Sequence, residues 1–258
     1  TSKETENFFY SLVPFLYFLP EMERLFQSSP SNRRNFIDKL IFSEFTNYNY
    51  TINSYKKYIT ERNNILSMDK YDNDWLNEVE RKISKIAIDI YDHRANQINI
   101  LNKQLIHFKK NNHYPYNINI SLIDKFISND ELNEENFRKN LKRNRSIDSK
   151  FKSTKIGPHR SDYLFTVNKD NNANQMSTGQ QKTLIILILF SQCNHLINKL
   201  NIKPIFLLDE ICSHLDDQNR LILLELSQSF NIQMFMTGTD QSLFSFLSTN
   251  TNFYNITN

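Results

Sequence analysis

Glycine is almost missing from this 258-residue chain: Gly157, Gly179 and Gly238 are the only three. With glycines so scattered, no Gly-x-x-x-x-Gly-Lys-Ser/Thr segment is present, which excludes a complete phosphate-cradling loop within these residues. The two cysteines, Cys193 and Cys212, are too few for a disulfide framework and lack zinc-site spacing. A reducing cytosol is therefore the expected compartment, with Cys212 a small buried thiol. The longest apolar run, Leu184 to Phe190, falls far short of the roughly 20 residues that cross a bilayer, so no membrane role is expected. The first residues, Thr1-Ser2-Lys3-Glu4, show neither a signal pattern nor an initiator methionine, so the chain is expected to begin inside a longer protein. Strong charge of one sign is lacking too. Lys and Arg number 31 against 28 Asp and Glu, which admits a nucleic-acid partner without demanding one.

The composition is 39% apolar and 23% charged, as in globular chains, and the length suffices for one large or two ordinary domains. From Phe8 to Pro20 both faces are apolar, which predicts a short buried strand stopped by Pro20. Ser29-Pro30-Ser31 supplies a turn and a cap for an amphipathic helix through Phe36, Ile37, Leu40 and Ile41. Helices are predicted from Thr51 to Leu66 and from Asp74 to about Phe108. The longer carries an apolar stripe of Trp75, Val79, Ile83, Ile86 and Ile90. Ile118 to Leu122 alternates like a strand, and Ser128-Asn129-Asp130-Glu131 reads as a capping box for a helix through Phe137 and Leu141. Next come a strand at Tyr163–Val167, a polar loop from Lys169 to Gln175 and a buried helix from Ser177 to Lys199. The strand Ile205–Leu208, the helix Asp217–Phe230 and the strand Ile232–Met236 have the spacing of a crossover between parallel strands.

Glycine costs backbone entropy, so the three that remain point at sites. They stand in Gly157-Pro158-His159-Arg160, Ser177-Thr178-Gly179-Gln180-Gln181-Lys182 and Thr237-Gly238-Thr239-Asp240. The all-apolar strand ending in Asp209-Glu210 lifts two carboxylates to the carboxyl edge of a parallel sheet, where ligands bind in such folds. Asp209 suits Mg²⁺ held through water, and Glu210 suits orienting or deprotonating an attacking water; the pair could equally cap the next helix. At Ser177–Gln180 a hydroxyl, a glycine and a helix start suit a phosphate, while Ser-x-x-Gln also satisfies an ordinary capping box.

The order of these segments resembles the ATPase heads of the ABC class used in DNA repair and chromosome maintenance, where a signature motif precedes the acidic strand. Ser213-His214-Leu215-Asp216 resembles that class's loop at the dimer seam, with Ser213 and Asp216 its polar members. Thr237, Thr239 and Asp240 match its switch region, without the histidine usual in transporters. Within the class the chain resembles the RecF family of bacterial recombination mediators over nearly its whole length. Ser31-Asn32-Arg33-Arg34-Asn35-Phe36-Ile37-Asp38 is similar to that family's paired-arginine motif, and Gly157-Pro158-His159-Arg160-Ser161-Asp162 to its Gly-Pro-His-Arg-Asp-Asp. Ser161 stands where the family usually has aspartate, and Lys152 where it has glycine.

The resemblance implies an α/β fold: an ABC-type, P-loop-NTPase-like ATPase head, truncated at its N-terminus, with an inserted helical arm. Residues 1–30 would end the first part of the ATPase lobe, 31–112 would form the arm, and 113–258 would be the second part of the lobe. It implies ATP and Mg²⁺ as cofactors and a homodimer closed around ATP. In it Glu210 serves as catalytic base, Asp209 holds the metal through water, and Ser177, Thr178, Gly179 and Gln180 act in trans. It further implies single- and double-stranded or gapped DNA, RecR and RecO as partners, with RecA loading and the SOS response as outcomes in the cytoplasm. The basic run of Arg138, Lys142, Arg143, Arg145 and Lys155 is a candidate DNA surface or simply a solvated helix face. Arg33 and Arg34 are open between DNA and protein carboxylates. The intact protein is expected to be a weak DNA-stimulated ATPase, and these 258 residues alone not to complete an ATP site. A non-catalytic scaffold is the alternative. Rad50 and SMC heads carry coiled coils longer than residues 51–108 provide, and no added metal-binding carboxylate domain of an OLD-type nuclease is evident.

Overall fold

The computed structural model describes residues 13–110, 116–127, 132–168, 171–212, 215, 217–247 and 251–255. In chain order the elements are β1 (Phe15–Phe18), α1 (Pro30–Phe42), α2 (Tyr48–Leu66), α3 (Asn73–Lys110), β2 (Ile118–Ile123), α4 (Glu134–Arg143) and α5 (Arg145–Phe151). They continue with β3 (Asp162–Val167), β4 (Asn171–Asn172), α6 (Thr178–Leu200), β5 (Ile205–Leu208), α7 (Asp217–Phe230) and β6 (Met234–Met236). Short 3-10 turns occupy Pro20–Gln27, Ala173–Gln175 and Gln241–Phe244.

β1, β5 and β6 form a parallel sheet with β5 in the middle. Leu16, Phe18, Phe206 and Leu208 bury one face, whereas Leu207 and Phe235 are exposed, so the sheet is covered on one side rather than on both as the sequence suggested. α7 makes the expected crossover from β5 to its parallel neighbour β6. β2, β3 and β4 form a separate antiparallel sheet. The amide of Asn102 on α3 bonds both the N–H and the C=O of Ile120 (2.9 Å each), blunting that strand as a neighbouring chain would.

α6 is the centre of the core. Every residue from Leu184 to Phe190 is buried, and Phe190 stacks on Phe206 and Phe230 at ring separations of 4.8 and 5.5 Å. The helix is long and apolar enough by composition to span a bilayer, but 78% of its most apolar window lies inside the protein, so burial in a core accounts for its character. α6 packs on β1 and α3, and α3 in turn packs on β2. Cys193 and Cys212 are both buried thiols, and burial pushes their pKa values up to about 12 and about 11.

Three readings of the sequence need correction. The buried stripe of α3 runs through Leu76, Val79, Ile83, Ala87 and Ile90; Trp75 lies exposed with its indole N–H on Glu61 (3.0 Å), and Ile86 is half-buried. An indole has a polar edge that a charged neighbour can satisfy at the surface, so the smaller Leu76 takes the inward place. The polar loop after β3 contains a short strand, β4, paired with Thr166 and Val167. The proposed cap at Ser128–Glu131 lies outside the described residues; α4 is capped instead by Asn133, whose side chain accepts the Asn136 N–H (2.8 Å).

Two arginines fasten the helices to the rest. Arg62 on α2 is wholly buried and bonds Glu80 (3.0 Å), Asp148 (2.7 Å), Thr154 (2.8 Å) and the Leu141 carbonyl (2.9 Å). Arg94 on α3 grips Asp38 with two parallel bonds (2.9 and 2.8 Å) and reaches the Pro158 carbonyl (2.5 Å).

α5 ends at Lys152, whose φ of 50° and ψ of 33° are left-handed, the conformation glycine adopts without strain. This accounts for the glycine that the resemblance led one to expect at this place. Lys152→Gly is expected to stabilise the fold by about 1 kcal/mol, read as a higher urea midpoint at unchanged slope; a lowered midpoint would show that the lysine side chain outweighs the strain.

Candidate functional site

The tip of β5 is knitted to its neighbours by short bonds. The Asp209 N–H donates to the Phe18 carbonyl and the Thr237 N–H to the Leu208 carbonyl (3.0 Å each), so β1 and β6 fix the strand end from both sides. The Thr237 hydroxyl donates to Asp209 Oδ1 and accepts from the Glu210 N–H (3.1 Å). Thr237 thus touches both carboxylate-bearing positions. Glu210 has φ of 50°, a left-handed backbone that costs a non-glycine residue about 1 kcal/mol or more.

Lys182, one turn into α6, completes the knot. Its side chain is 2% exposed, its Nζ bonds the Glu210 carbonyl (3.0 Å) and Glu23 (2.7 Å), and it lies 5.5 Å from the centre of the Phe18 ring. The helix that begins at the signature segment is therefore tied to the acidic strand tip within one protomer. Sequence reasoning gave Lys182 no role. The signal was a lysine at the head of an all-round apolar helix, a charge that burial obliges to find partners.

Ser177 and Thr178 are exposed, and Gly179 and Gln180 half-buried. The capping box is realised: Ser177 Oγ accepts from the Gln180 N–H (3.3 Å), and Gln180 Oε1 accepts from the Ser177 N–H (3.1 Å). A cap and an anion site are compatible, because the first N–H groups of a helix have no partner within it. Thr239 and Asp240 are exposed; Asp240 accepts the Ser242 N–H (2.8 Å), and that bond holds its carboxyl below the usual range. A Cβ on Gly238 would stand 2.7 Å from the Phe244 ring, so close approach demands glycine there. Ser213 and Asp216 lie outside the described residues.

These groups fit part of a nucleotide site. Asp209 and Glu210 offer the one or two carboxylates with which Mg²⁺, reluctant to shed its waters, is held. Among the described residues no three His, Cys, Asp or Glu side chains converge as a metal cage. Lys182 is already bound to Glu23 and to the Glu210 carbonyl and does not replace a phosphate-loop lysine.

The paired-arginine and Gly-Pro-His-Arg segments meet. Arg33 grips Asp162 with two 2.8 Å bonds and Arg34 reaches the Ser161 carbonyl (2.6 Å), so both bond protein groups within the chain. Ser161 donates to Asp124 (2.5 Å), which also accepts from Tyr91 (2.9 Å). Gly157 has φ of 123°, and a Cβ there would fall 2.3 Å from the Tyr55 hydroxyl. His159 lies between Tyr55 (Nδ1, 2.8 Å) and the Thr154 carbonyl (Nε2, 3.0 Å); the carbonyl can only accept, so Nε2 carries the proton and Nδ1 accepts from Tyr55.

The basic run divides in two. Arg145 is used internally, bound to Glu80 (2.6 Å) and Asn77 (2.7 Å), because Glu80 is wholly buried and Arg62 alone does not cover its two oxygens. Lys142, Arg143 and Lys155 are exposed and Arg138 is half-buried.

Two outcomes follow. Burial pushes the His159 pKa from 6.5 down to about 4, so the native state keeps the ring neutral where the unfolded chain would protonate it. Its contribution, fully present above pH 6.5, is lost as pH falls toward 4, at up to about 1.4 kcal/mol per pH unit. His159→Gln flattens this part of the stability profile measured by urea unfolding; an unchanged slope would place the acid sensitivity elsewhere. In the Lys182–Glu23 pair only the lysine is desolvated, since the Glu23 side chain is 31% exposed. Glu23→Gln should cost about 3 kcal/mol by removing the charged acceptor described for a buried ammonium, and Lys182→Met about 1 kcal/mol, because Glu23 can rehydrate. The reverse ranking of urea midpoints would refute that assignment.

No family model matches the sequence. Curated relatives do. The DNA replication and repair protein RecF of Rickettsia prowazekii (strain Madrid E) is 35% identical over 242 residues, covering 93% of this chain and 67% of the relative. That of Rickettsia typhi (strain ATCC VR-144 / Wilmington) is 34% identical over the same shares. Two solved structures of the recombination mediator protein RecF in the RecFOR pathway are similar in fold. RecF-ATPrS has a TM-score of 0.73 at 24% identity over 89% of this chain and 63% of its own, and RecF-ATP a TM-score of 0.72 over 88% and 62%. The chain thus spans about two thirds of the length of the relatives it matches. Its fold is that of an ABC-type ATPase head, and the chain belongs to the RecF family of DNA replication and repair proteins.

Proposed function

We propose that the chain is the signature-bearing part of an ATP-dependent DNA-binding protein that acts as a recombination mediator in DNA replication and gap repair. Residues 31–112 form its helical arm and 113–258 the second part of its ATPase lobe. The observation that carries the reading is the Thr237–Asp209–Glu210–Lys182 knot, which joins switch, acidic strand tip and signature helix through 3.0–3.1 Å bonds to the Glu210 backbone and a hydroxyl bond to Asp209.

Where ATP lay between two copies, Ser177, Thr178, Gly179 and Gln180 of one copy would offer its phosphates hydroxyl and N–H donors at a positive helix end. Asp209 of the other copy would hold Mg²⁺ through its water shell, which would neutralise phosphate charge, and Glu210 would orient and deprotonate the attacking water. The Thr237 hydroxyl, bound to both acidic positions, gives the protein a lever from the nucleotide end of the sheet to the Gln241–Phe244 turn beyond Gly238. In this reading the cytoplasmic partners are gapped DNA, RecR and RecO, and RecA loading follows. In a RecF-family polypeptide that includes a phosphate-loop portion, Glu210→Gln should slow ATP turnover by about 10²- to 10⁴-fold while nucleotide-dependent dimers persist in sedimentation. Turnover at the wild-type rate would remove Glu210 as the base.

A further inference from the structure

We propose that the outer face of α4 and α5, with the loop that follows them, is a binding surface for single-stranded DNA in which Phe151 is a base-stacking platform. The inference rests on the DNA-binding reading above and assigns it a place and a strand preference.

Helical hydrogen bonding continues across the junction of α4 and α5, from the Asn144 N–H to the Asn140 carbonyl (3.1 Å) and from the Asp148 N–H to the Asn144 carbonyl (2.8 Å). Residues four apart therefore line up along one side, and Arg143, Ile147 and Phe151 do so, with Lys150 beside them. Ile147 is 50% and Phe151 59% exposed, an apolar stripe turned away from the core that Phe137, Leu141 and Asp148 face. The stripe is surrounded by cations. Between Arg138 and Lys155 there are eight Lys or Arg residues and one acid, Asp148, which is buried against Arg62. Arg145 and Lys139 are engaged with Glu80 and Glu135, while Arg143, Lys150 and Lys155 reach the surface.

Lys155 stands over the Phe151 ring, 4.7 Å from its centre. Arg160 is exposed and held alongside by bonds to the Thr154 carbonyl (3.1 Å) and Ser153 Oγ (2.5 Å). Gly157, at a φ that only glycine takes easily, and the half-buried His159 thereby help fix the position of a surface arginine, a task for this loop that the nucleotide site does not supply. An aromatic ring open on one side and bordered by cations suits unstacked bases on an anionic backbone. A duplex presents no free base face, so it would meet the cations alone. An acid-poor, cation-ringed patch favours a polyanion over an apolar protein surface.

The test is fluorescence anisotropy, with ATP present, of the purified protein as a polypeptide that includes a phosphate-loop portion, using a labelled oligo(dT) and a hairpin duplex of equal charge, each at two salt concentrations. Phe151→Ala should weaken oligo(dT) binding about tenfold and duplex binding less than twofold, and Phe151→Tyr should restore it. Replacing Arg143 and Lys150 by Ala should weaken both forms and lower the salt slope for the single strand by roughly 1.4. Unchanged thermal midpoints, expected at exposed positions, would exclude misfolding. If both DNA forms bind but Phe151→Ala affects neither, or both equally, the stacking surface is refuted while the DNA-binding reading stands. A change confined to self-association in sedimentation would make the patch a protein interface and refute it likewise. Binding of neither form by the unaltered protein would overturn the DNA-binding reading itself.

Discussion

Arg94 is the tie on which the arrangement depends. It is 3% exposed, and all of its described bonds go to Asp38 on α1 and to the Pro158 carbonyl, so one guanidinium fixes a helix near the start of the chain, a helix in its middle and a loop 64 residues further on. Burial opposes its charge, yet Tyr163 and Asp38 together hold its pKa above the ordinary value. A planar fork matched to a carboxylate satisfies several donors at once, which a lysine cannot do. Losing one member of such a pair costs about 3–5 kcal/mol because the other stays buried and uncompensated. Arg62 repeats the device between α2, α3 and α5, with Arg145 covering the remaining face of Glu80.

These ties give two motifs a structural meaning. The paired-arginine segment and the Gly-Pro-His-Arg-Ser-Asp segment are far apart in sequence, yet Arg33 meets Asp162 across 129 positions, Arg34 meets Ser161 across 127, and Asp38 meets Pro158 through Arg94. The segments are one interlocked unit, and the helices carrying the first are thereby held at a fixed place beside β3. Ser161, shorter than the aspartate the resemblance led one to expect, closes the unit by donating to Asp124.

What the sequence made legible follows the range of the physics involved. Local signals read well: the Ser177 capping box, the wholly apolar run that buries α6, and the strand–helix–strand spacing that makes β5 and β6 parallel neighbours. Side-chain partnerships across long separations did not, because an arginine's partner is set by tertiary placement. Arg145 therefore looked like a surface cation until Glu80 was found beneath it. Trp75 shows the same limit at short range, since spacing cannot tell which of two adjacent apolar residues turns inward when one has a polar edge satisfied at the surface. The Asp-Glu pair was legible as the tip of an apolar strand, but Lys182 beside it was not, because its contacts exist only once α6 lies against β1.

Backbone strain separates structure from function more sharply than burial does. Five described non-glycine residues have positive φ; three are asparagines, which tolerate it, leaving Lys152 and Glu210. At Lys152 the strain ends a short surface helix, and glycine would remove it with no chemistry lost. At Glu210 glycine would also relieve the backbone but would delete the carboxylate to which the proposed function gives the role of base. The surrounding bonds behave accordingly: Thr237 holds the Glu210 N–H and Lys182 its carbonyl, so the strained peptide is clamped from the switch on one side and the signature helix on the other. A shift of either Thr237 or Lys182 would bear on the Glu210 peptide through these bonds, so two segments 55 positions apart in sequence share control of one strained torsion.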